Sequence, residues 1–387
     1  EIPRIFPAFL SHPDYTVGAG IDFRLIIKKL PGETKVVMEA TGNYYESIAR
    51  CLHEQNIFVS VVNPVLISDF GGNTLRKPKT DKKDSVKIAS YALNYWLDLR
   101  EYTPQEDLRK SLKLLNRQYQ QSIKLKTMMN NNLISLLDLT FPGINKLFTS
   151  PSRESDGHEK WVDFVLEFPH CDMISKLTIK SFTRKHMKWC SNNSYYFTES
   201  SCEKIYAFAK ECVSSVSSDE AIVFSVVQAA KMLVSATENC HAIQTEMNRV
   251  ASKLPEYDTV MNMYGVGKAV GPQIMAEIGD PRRFHSRKAI TAYFGYDSEN
   301  NDSGQKTTRS NPMTKKGSGV LRRTLFIIMQ VLLKTKPQDN PVYDFLIKKQ
   351  SEGKHYYSYM NAAANKFLRI YYAKVKEVLH TTETPLT

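Results

Sequence analysis

The sequence predicts an α/β N-terminal segment followed by a long and mainly helical remainder, and three observations carry that prediction. Residues 35–39 (KVVME) are a short apolar run ending in an acid, and residues 57–62 (IFVSVV) are a second apolar run closed by Asn63 and Pro64. Between them Tyr45, Ile48, Ala49 and Leu52 recur at the i, i+3, i+4, i+7 spacing of an amphipathic helix. Strand, helix and strand within about 30 residues make a βαβ unit, which implies a parallel pair in a covered sheet. From residue 105 to 255, by contrast, strand alternation is missing. Leu112, Leu115, Tyr119 and Ile123 keep helical spacing there, and so does the stretch from Ile222 to Leu254.

In chain order, Arg24 to Ile27 with Leu30 read as an amphipathic helix. The first strand ends at Glu39 because Ala40, Thr41, Gly42 and Asn43 favour a turn. After Gly71, Gly72 and a basic run, Ile88, Tyr91, Ala92 and Tyr95 predict a helix starting near Asp81, where an acid suits the positive helix end. The helical middle has antiparallel-hairpin character, broken by a polar loop at residues 150–157. From Pro255 the character changes. Gly265, Gly267 and Gly271 crowd into YGVGKAVGPQIMAEIGD, which fits a helix-hairpin-helix clamp whose backbone N–H groups meet phosphates, or a simple helix turn. No strand clearly precedes it, so it is not a dinucleotide fingerprint. Residues 300–312 form a polar loop, and helices resume over 320–334 and 362–378. The expected division is 1–104, 105–254 and 255–387.

The length of 387 residues fits two to three domains, and 42% hydrophobic content with a net charge of +12 fits a core-forming chain. Uninterrupted apolar runs of the roughly 18 residues that cross a bilayer are missing, and no signal pattern opens the sequence, so no membrane partner is expected. Cys51, Cys171, Cys190, Cys202, Cys212 and Cys240 include no C-x-x-C pair, which disfavours a disulfide framework. His186 and Cys190 stand at i and i+4, but a second pair at metal spacing is missing, which disfavours zinc. Net charge rises along the chain, from +1 over residues 1–105 to +3 over 106–255 and +8 over 256–387. With the run Arg76, Lys77, Lys79, Lys82 and Lys83, this fits a phosphate-rich partner or a merely basic surface.

Glu39 at a strand end, with Asp81 and Asp84 three apart on one helix face, offers the oxygen ligands that Mg²⁺ needs to hold a phosphodiester. The plain alternative is that Asp81 and Asp84 cap a helix and pair with Lys82 and Lys83. Ser303 sits in a Ser-Gly loop followed by Lys306, Arg309, Lys315, Lys316, Arg322 and Arg323, the cations a transferring phosphoryl group requires, though Ser-Gly also marks an ordinary turn. Lys79, Lys82, Lys83 and Lys268 extend the basic set expected to bind nucleic acid.

Several of these segments together resemble one family. MEATGNYYESIARCL, VVNP and RKPKTDKKDSVKIASYA resemble the N-terminal catalytic domain of the insertion-sequence one-ten type transposases, the DEDD recombinases. YGVGKAVGPQIMAEIGDPRRFHSRKAITAYFGYDSENNDSGQ, MTKKGSGVLRRTL and EGKHYYSYMNAAANKFLRIYYA resemble their C-terminal transposase domain. The resemblance implies an RNase H-like (RuvC-like) N-terminal domain, a helical, coiled-coil connector and a mainly helical C-terminal domain with a helix-hairpin-helix-like segment. It also implies Mg²⁺ on Glu39, Asp81 and Asp84, Ser303 as a nucleophile that forms a phosphoserine link to DNA, donor and target DNA as partners, a guide (bridge) RNA, and a homo-oligomer. A cytoplasmic, nucleoid-associated protein of a bacterium or archaeon follows.

One departure concerns the family's first acid, which lies in a G-x-D-x-S strand several tens of residues before E-A-T-G. Asp22 in AGIDF echoes it but precedes a helical pattern and lies close to Glu39, so that strand is expected to be absent and Asp22 is not assigned. Ser85 also stands where the family usually has Ala. Two rivals follow: an inactive nucleic-acid-binding relic, and a resolvase-like Mg²⁺ nuclease that uses water.

Overall fold

The computed structural model describes residues 27, 29–40, 42, 44–70, 81–103, 106–296 and 313–383, which divide into two compact units, Glu1–Gln105 and Glu106–Thr387. In the first unit β1 (Lys35–Glu39), α1 (Tyr44–His53) and β2 (Phe58–Val62) form the expected βαβ arrangement, followed by α2 (Pro64–Phe70) and α3 (Asp81–Asn94). The strands pair in parallel, with Lys35 opposite Phe58 and Glu39 opposite Val62, and the described residues contain no further strand.

Local chemistry explains each boundary. Asn56 closes α1 at φ 57°, a left-handed conformation that Asn tolerates, and the Ile57 N–H returns to the Leu52 carbonyl at 3.1 Å. That turn delivers Ile57 and Val59 to the face where Ala49, Leu52 and Ile27 are buried. The chain after α3 then comes back to the sheet. Lys35 Nζ donates to the Trp96 carbonyl at 2.9 Å while lying over the Phe58 and Trp96 rings, and the Tyr102 N–H donates to the Val59 carbonyl at 2.6 Å.

The second unit is built on two long helices, α4 (Asp107–Thr140) and α9 (Glu220–Ala251), packed antiparallel so that Arg109 reaches Glu256 and the Tyr119 hydroxyl donates to Gln244 at 3.2 Å. Each end of this hairpin belongs to a different core. Met129, Leu133 and Leu137 with Val226, Ala230 and Leu233 bury α5 (Lys160–Glu167), α6 (Asp172–Ser175), α7 (Ile179–Asn192) and α8 (Glu199–Glu211). At the other end Leu112 and Tyr119 with Met247 and Ala251 join the core of the C-terminal helices. These are α10 (Tyr257–Met261), α11 (Gly271–Ile278), α12 (Arg287–Tyr293), α13 (Gly319–Thr335), α14 (Pro341–Ser351) and α15 (Tyr356–Glu383).

Two findings add to the sequence reading. Among the described residues α9 is long and apolar enough, by length and composition, to cross a membrane. No unbroken apolar run signalled it, because Gln228, Lys231 and Glu238 interrupt the sequence. Its Val226, Ala229, Ala230, Leu233 and Ala236 are buried in the helical core. Secondly, α14 follows α13 after a short connection that sequence patterning passed over. Asn340 caps it, accepting the Val342 and Tyr343 N–H groups, and Pro341 fills the first helical position where no N–H is needed.

His186 and Cys190 do share a face of α7, with Cys190 Sγ 3.7 Å from His186 Nε2. The ring is fully buried and stacked between Phe182 and Trp189. Burial lowers its pKa to about 4, so it is a neutral core aromatic near pH 7.

Candidate catalytic and nucleic-acid-binding site

In the N-terminal unit the carboxylates sit where strand and helix ends meet. Glu39 is the last residue of β1, and the Ala40 N–H donating to the Val62 carbonyl at 2.9 Å closes the ladder directly beyond it. Gly42, at φ 58°, then turns the chain into α1. The helix α3 begins at Asp81 and packs against β1. Asp84 is half-buried and one turn ahead of Ile88, and Ala92 is buried one turn further on, so Asp84 extends the stripe that meets the sheet. Lys83 is exposed, off that stripe. For Asp81 and Lys82 the backbone is helical, while their side chains, and Lys79, lie outside the described residues. Glu39 and Asp84 offer carboxylate oxygens, the ligand type a hard divalent cation takes, at a strand end and in the first turn of the helix packed on that strand.

The second cluster of assigned residues is in the larger unit, where the backbone rather than side chains sets the geometry. Residues 297–312, which contain Ser303, Lys306 and Arg309, lie outside the described residues, but both flanks are fixed. The Lys315 N–H donates to the Gly295 carbonyl at 3.2 Å. A Cβ on Gly295 (φ 67°) would come within 2.7 Å of Lys316 N, and one on Gly317 (φ 145°) within 2.4 Å of the Tyr293 carbonyl. The two flanks therefore touch backbone to backbone, a contact only glycine permits.

Side chains lock this contact. Arg322 Nη1 donates to the Phe294 carbonyl at 3.0 Å and to the Gly317 carbonyl at 3.2 Å, so part of its fork holds the loop base. Lys315 and Lys316, next to Gly317 in the chain, are exposed, and so is Arg323. Ser318 caps α13 through the Leu321 N–H. Sequence reasoning missed Glu277, which accepts from Ser318 Oγ and from Asn116 Nδ2 at 2.7 Å and so ties this cap to α4. A serine before the helical run GVLRRTL was the available signal.

The glycine segment takes the form of two short helices, α10 and α11, joined by a turn. Gly265 sits at φ 81° with Ile328 directly behind it. Gly271 opens α11 where a Cβ would lie 2.5 Å from Met261 Sδ, so the two helices approach closely there. Gly267 has open space around it, and its carbonyl accepts the Val270 and Gly271 N–H groups. Lys268 is exposed, while its own carbonyl is held by Asn248 Nδ2 at 2.9 Å.

Comparison with known proteins places both regions in one family. Residues 22–142 match a DEDD-type family of the IS110 kind described as "Transposase", and residues 257–344 match the "Transposase IS116/IS110/IS902 family". The pilin gene-inverting protein of Moraxella bovis is 20% identical over 342 residues, spanning 88% of this chain and 80% of its own length. The pilin gene-inverting protein of Moraxella lacunata matches at the same identity and coverage.

Proposed function

The chain belongs to the IS110-type transposase family and is a DNA recombinase; we propose that it cuts and rejoins strands through a covalent serine link, with Mg²⁺ at an RNase H-like carboxylate site. Glu39, Asp81 and Asp84 would hold the ion, which supplies neutralising charge to the transferring phosphoryl group. The Ser303 oxygen attacks phosphorus and loses its proton. One deoxyribose oxygen leaves and takes up a proton, and a second hydroxyl later reverses the exchange. Lys315, Lys316 and Arg323, with Lys306 and Arg309, are assigned to neutralising phosphate charge near Ser303. Lys79, Lys82, Lys83 and Lys268 are assigned to phosphate contacts elsewhere.

The observation that carries this reading is the pairing of a strand-end glutamate with an aspartate on the helix packed against that strand, in the segment matched as transposase. The relatives' printed name, gene inversion, describes DNA that is cut and rejoined. The working division is a carboxylate module at 1–104, a helical connector at 105–254 and a serine module at 255–387. Donor and target DNA, a structured guide RNA, a homo-oligomer and a cytoplasmic, nucleoid-associated location complete the proposal.

The test is strand cleavage on a supercoiled donor with Mg²⁺ added or chelated, alongside Ser303→Ala and Asp84→Asn. Ser303→Ala is expected to abolish the covalent protein–DNA adduct with DNA binding nearly intact. Asp84→Asn is expected to abolish both cleavage and adduct. Cleavage without an adduct in the unaltered chain would favour the water-using nuclease, and binding with no cleavage at all would favour the inactive relic.

A further inference from the structure

At the end of the helical hairpin that carries the α5–α8 core, three side chains with metal-ligating atoms converge and a further thiol lies beside them. His170 and Cys171 are fully buried, and Asp172 and Cys212 are half-buried. His170 Nδ1 lies 3.9 Å from Cys171 Sγ and 4.0 Å from Asp172 Oδ1, and Cys171 Sγ lies 4.0 Å from the same carboxylate oxygen. The Cys212 thiol, at the end of α8, interacts with Cys171 and Asp172.

We propose that His170, Cys171 and Asp172, with Cys212 drawn in as the fourth ligand, form a tetrahedral zinc site that joins the start of α6 to the end of α8. The donor set suits this borderline-soft ion, which takes nitrogen, sulfur and carboxylate oxygen together, whereas Mg²⁺ prefers oxygen alone. Bond lengths of about 2.3 Å to sulfur and about 2.0–2.1 Å to nitrogen or oxygen place tetrahedral ligand atoms roughly 3.4–3.6 Å apart. The three separations among His170, Cys171 and Asp172 therefore need to close by about half an ångström, with Cys212 swinging in to complete the set.

The surroundings are those of a metal-bound imidazole. His170 Nε2 donates to the Val216 carbonyl at 3.1 Å, which fixes the tautomer and leaves Nδ1 facing the cluster as an acceptor. In the metal-free arrangement Nδ1 accepts the Asp172 N–H at 3.1 Å, and binding exchanges that bond for a coordinate one. Lys176 Nζ holds Asp172 Oδ2 at 2.8 Å, leaving Oδ1 on the cluster side and offsetting one negative charge. Binding releases two thiol protons to solvent, so two thiolates and one carboxylate meet the dication with the lysine beside them.

The location gives the site a purpose. The Cys171 N–H donates to the Thr140 carbonyl at 3.2 Å and the Ser215 N–H to the Leu139 carbonyl at 2.9 Å, so both ligand-bearing loops already hang on the last turn of α4. An ion there joins two chain segments, each of which otherwise meets the last turn of α4 through a single backbone hydrogen bond.

The experiment uses the full chain, reduced and stripped of metal by chelator, titrated with Co²⁺ as a spectroscopic substitute for Zn²⁺. One equivalent is expected to produce the visible bands of tetrahedral cobalt with a thiolate-to-cobalt charge-transfer band, both lost on adding Zn²⁺. Cys212→Ser, at the more exposed ligand, is expected to remove part of the charge-transfer band and weaken binding by at least roughly 10-fold. Cys190→Ser and Asp84→Asn are expected to leave the spectrum unchanged, which separates this site from the core cysteines and from the oxygen-only carboxylate site. Octahedral bands alone, a tetrahedral spectrum unaffected by both Cys171→Ser and Cys212→Ser, or a Cys171–Cys212 disulfide with no metal uptake would overturn the proposal.

Discussion

In the N-terminal unit Glu39 ends a strand, Asp81 and Asp84 open the helix packed on it, and the two parallel strands cover a small core of Ile27, Ala49, Leu52, Ile57 and Val59, with Val36, Met38 and Val61 only partly covered. At the base of the serine loop Phe294, Leu321, Leu325 and Ile328 are all fully buried, and glycines bring backbone against backbone. On the proposed function, the difference follows from what each site would hold. A divalent ion draws its own ligands together and adds its binding energy to the fold. A side-chain nucleophile has no such partner, so the flanks of its loop must be fixed in advance by packing.

Five expected outcomes sharpen or break this contrast. The largest is Glu256→Ala in the larger unit. Glu256 and Arg109 are buried and paired through both guanidinium branches, so removing the acid leaves a charge stranded in the core. Denaturant unfolding should show a loss of about 3–5 kcal/mol. Leu52→Ala should cost about 2–4 kcal/mol, confined to the N-terminal unit. Hydrogen exchange would then show faster opening of β1 and β2 with α4 and α9 unchanged; reduced protection across the whole chain would mean that the two units unfold as one.

Gly295→Ala places a Cβ against Lys316 N at a positive φ and should cost about 1–3 kcal/mol. Adduct formation is expected to fall with it while nucleic-acid affinity holds. His186→Phe tests a buried base. Between its ordinary pKa of 6.5 and its folded value of about 4, the unfolded chain takes up a proton that the folded chain refuses, so stability falls as pH falls through that window. The variant should flatten that slope, gaining on the order of 1–2 kcal/mol near pH 4.5 and little at pH 7.5. Smallest is Gly267→Ala, where open space and an ordinary φ predict a stability change within about 0.5 kcal/mol. If DNA affinity nonetheless drops, the turn is a phosphate clamp; unchanged affinity makes it a plain connection.

The βαβ segment was legible because its signals are local: a five-residue apolar strand, a helical stripe and a turn of small residues. The start of α3 at Asp81 and the long helices α4 and α9 were legible for the same reason. What sequence patterning did not reveal depends on distant partners. Nothing near Glu277 announces that it joins Asn116 to Ser318, and Arg322 reads as a phosphate ligand until the carbonyls of Phe294 and Gly317 come within its reach. Likewise, His170 and Cys171 acquire Cys212 only through the packing of α6 on α8.

The most direct test of the central claim is to trap the reaction on a nicked donor, digest the protein and locate the nucleotide-linked peptide by mass spectrometry. The account predicts a single adduct on Ser303 that requires Mg²⁺ and vanishes in Glu39→Gln and Asp84→Asn. An adduct on another residue, or an adduct that persists without the carboxylates, would contradict it.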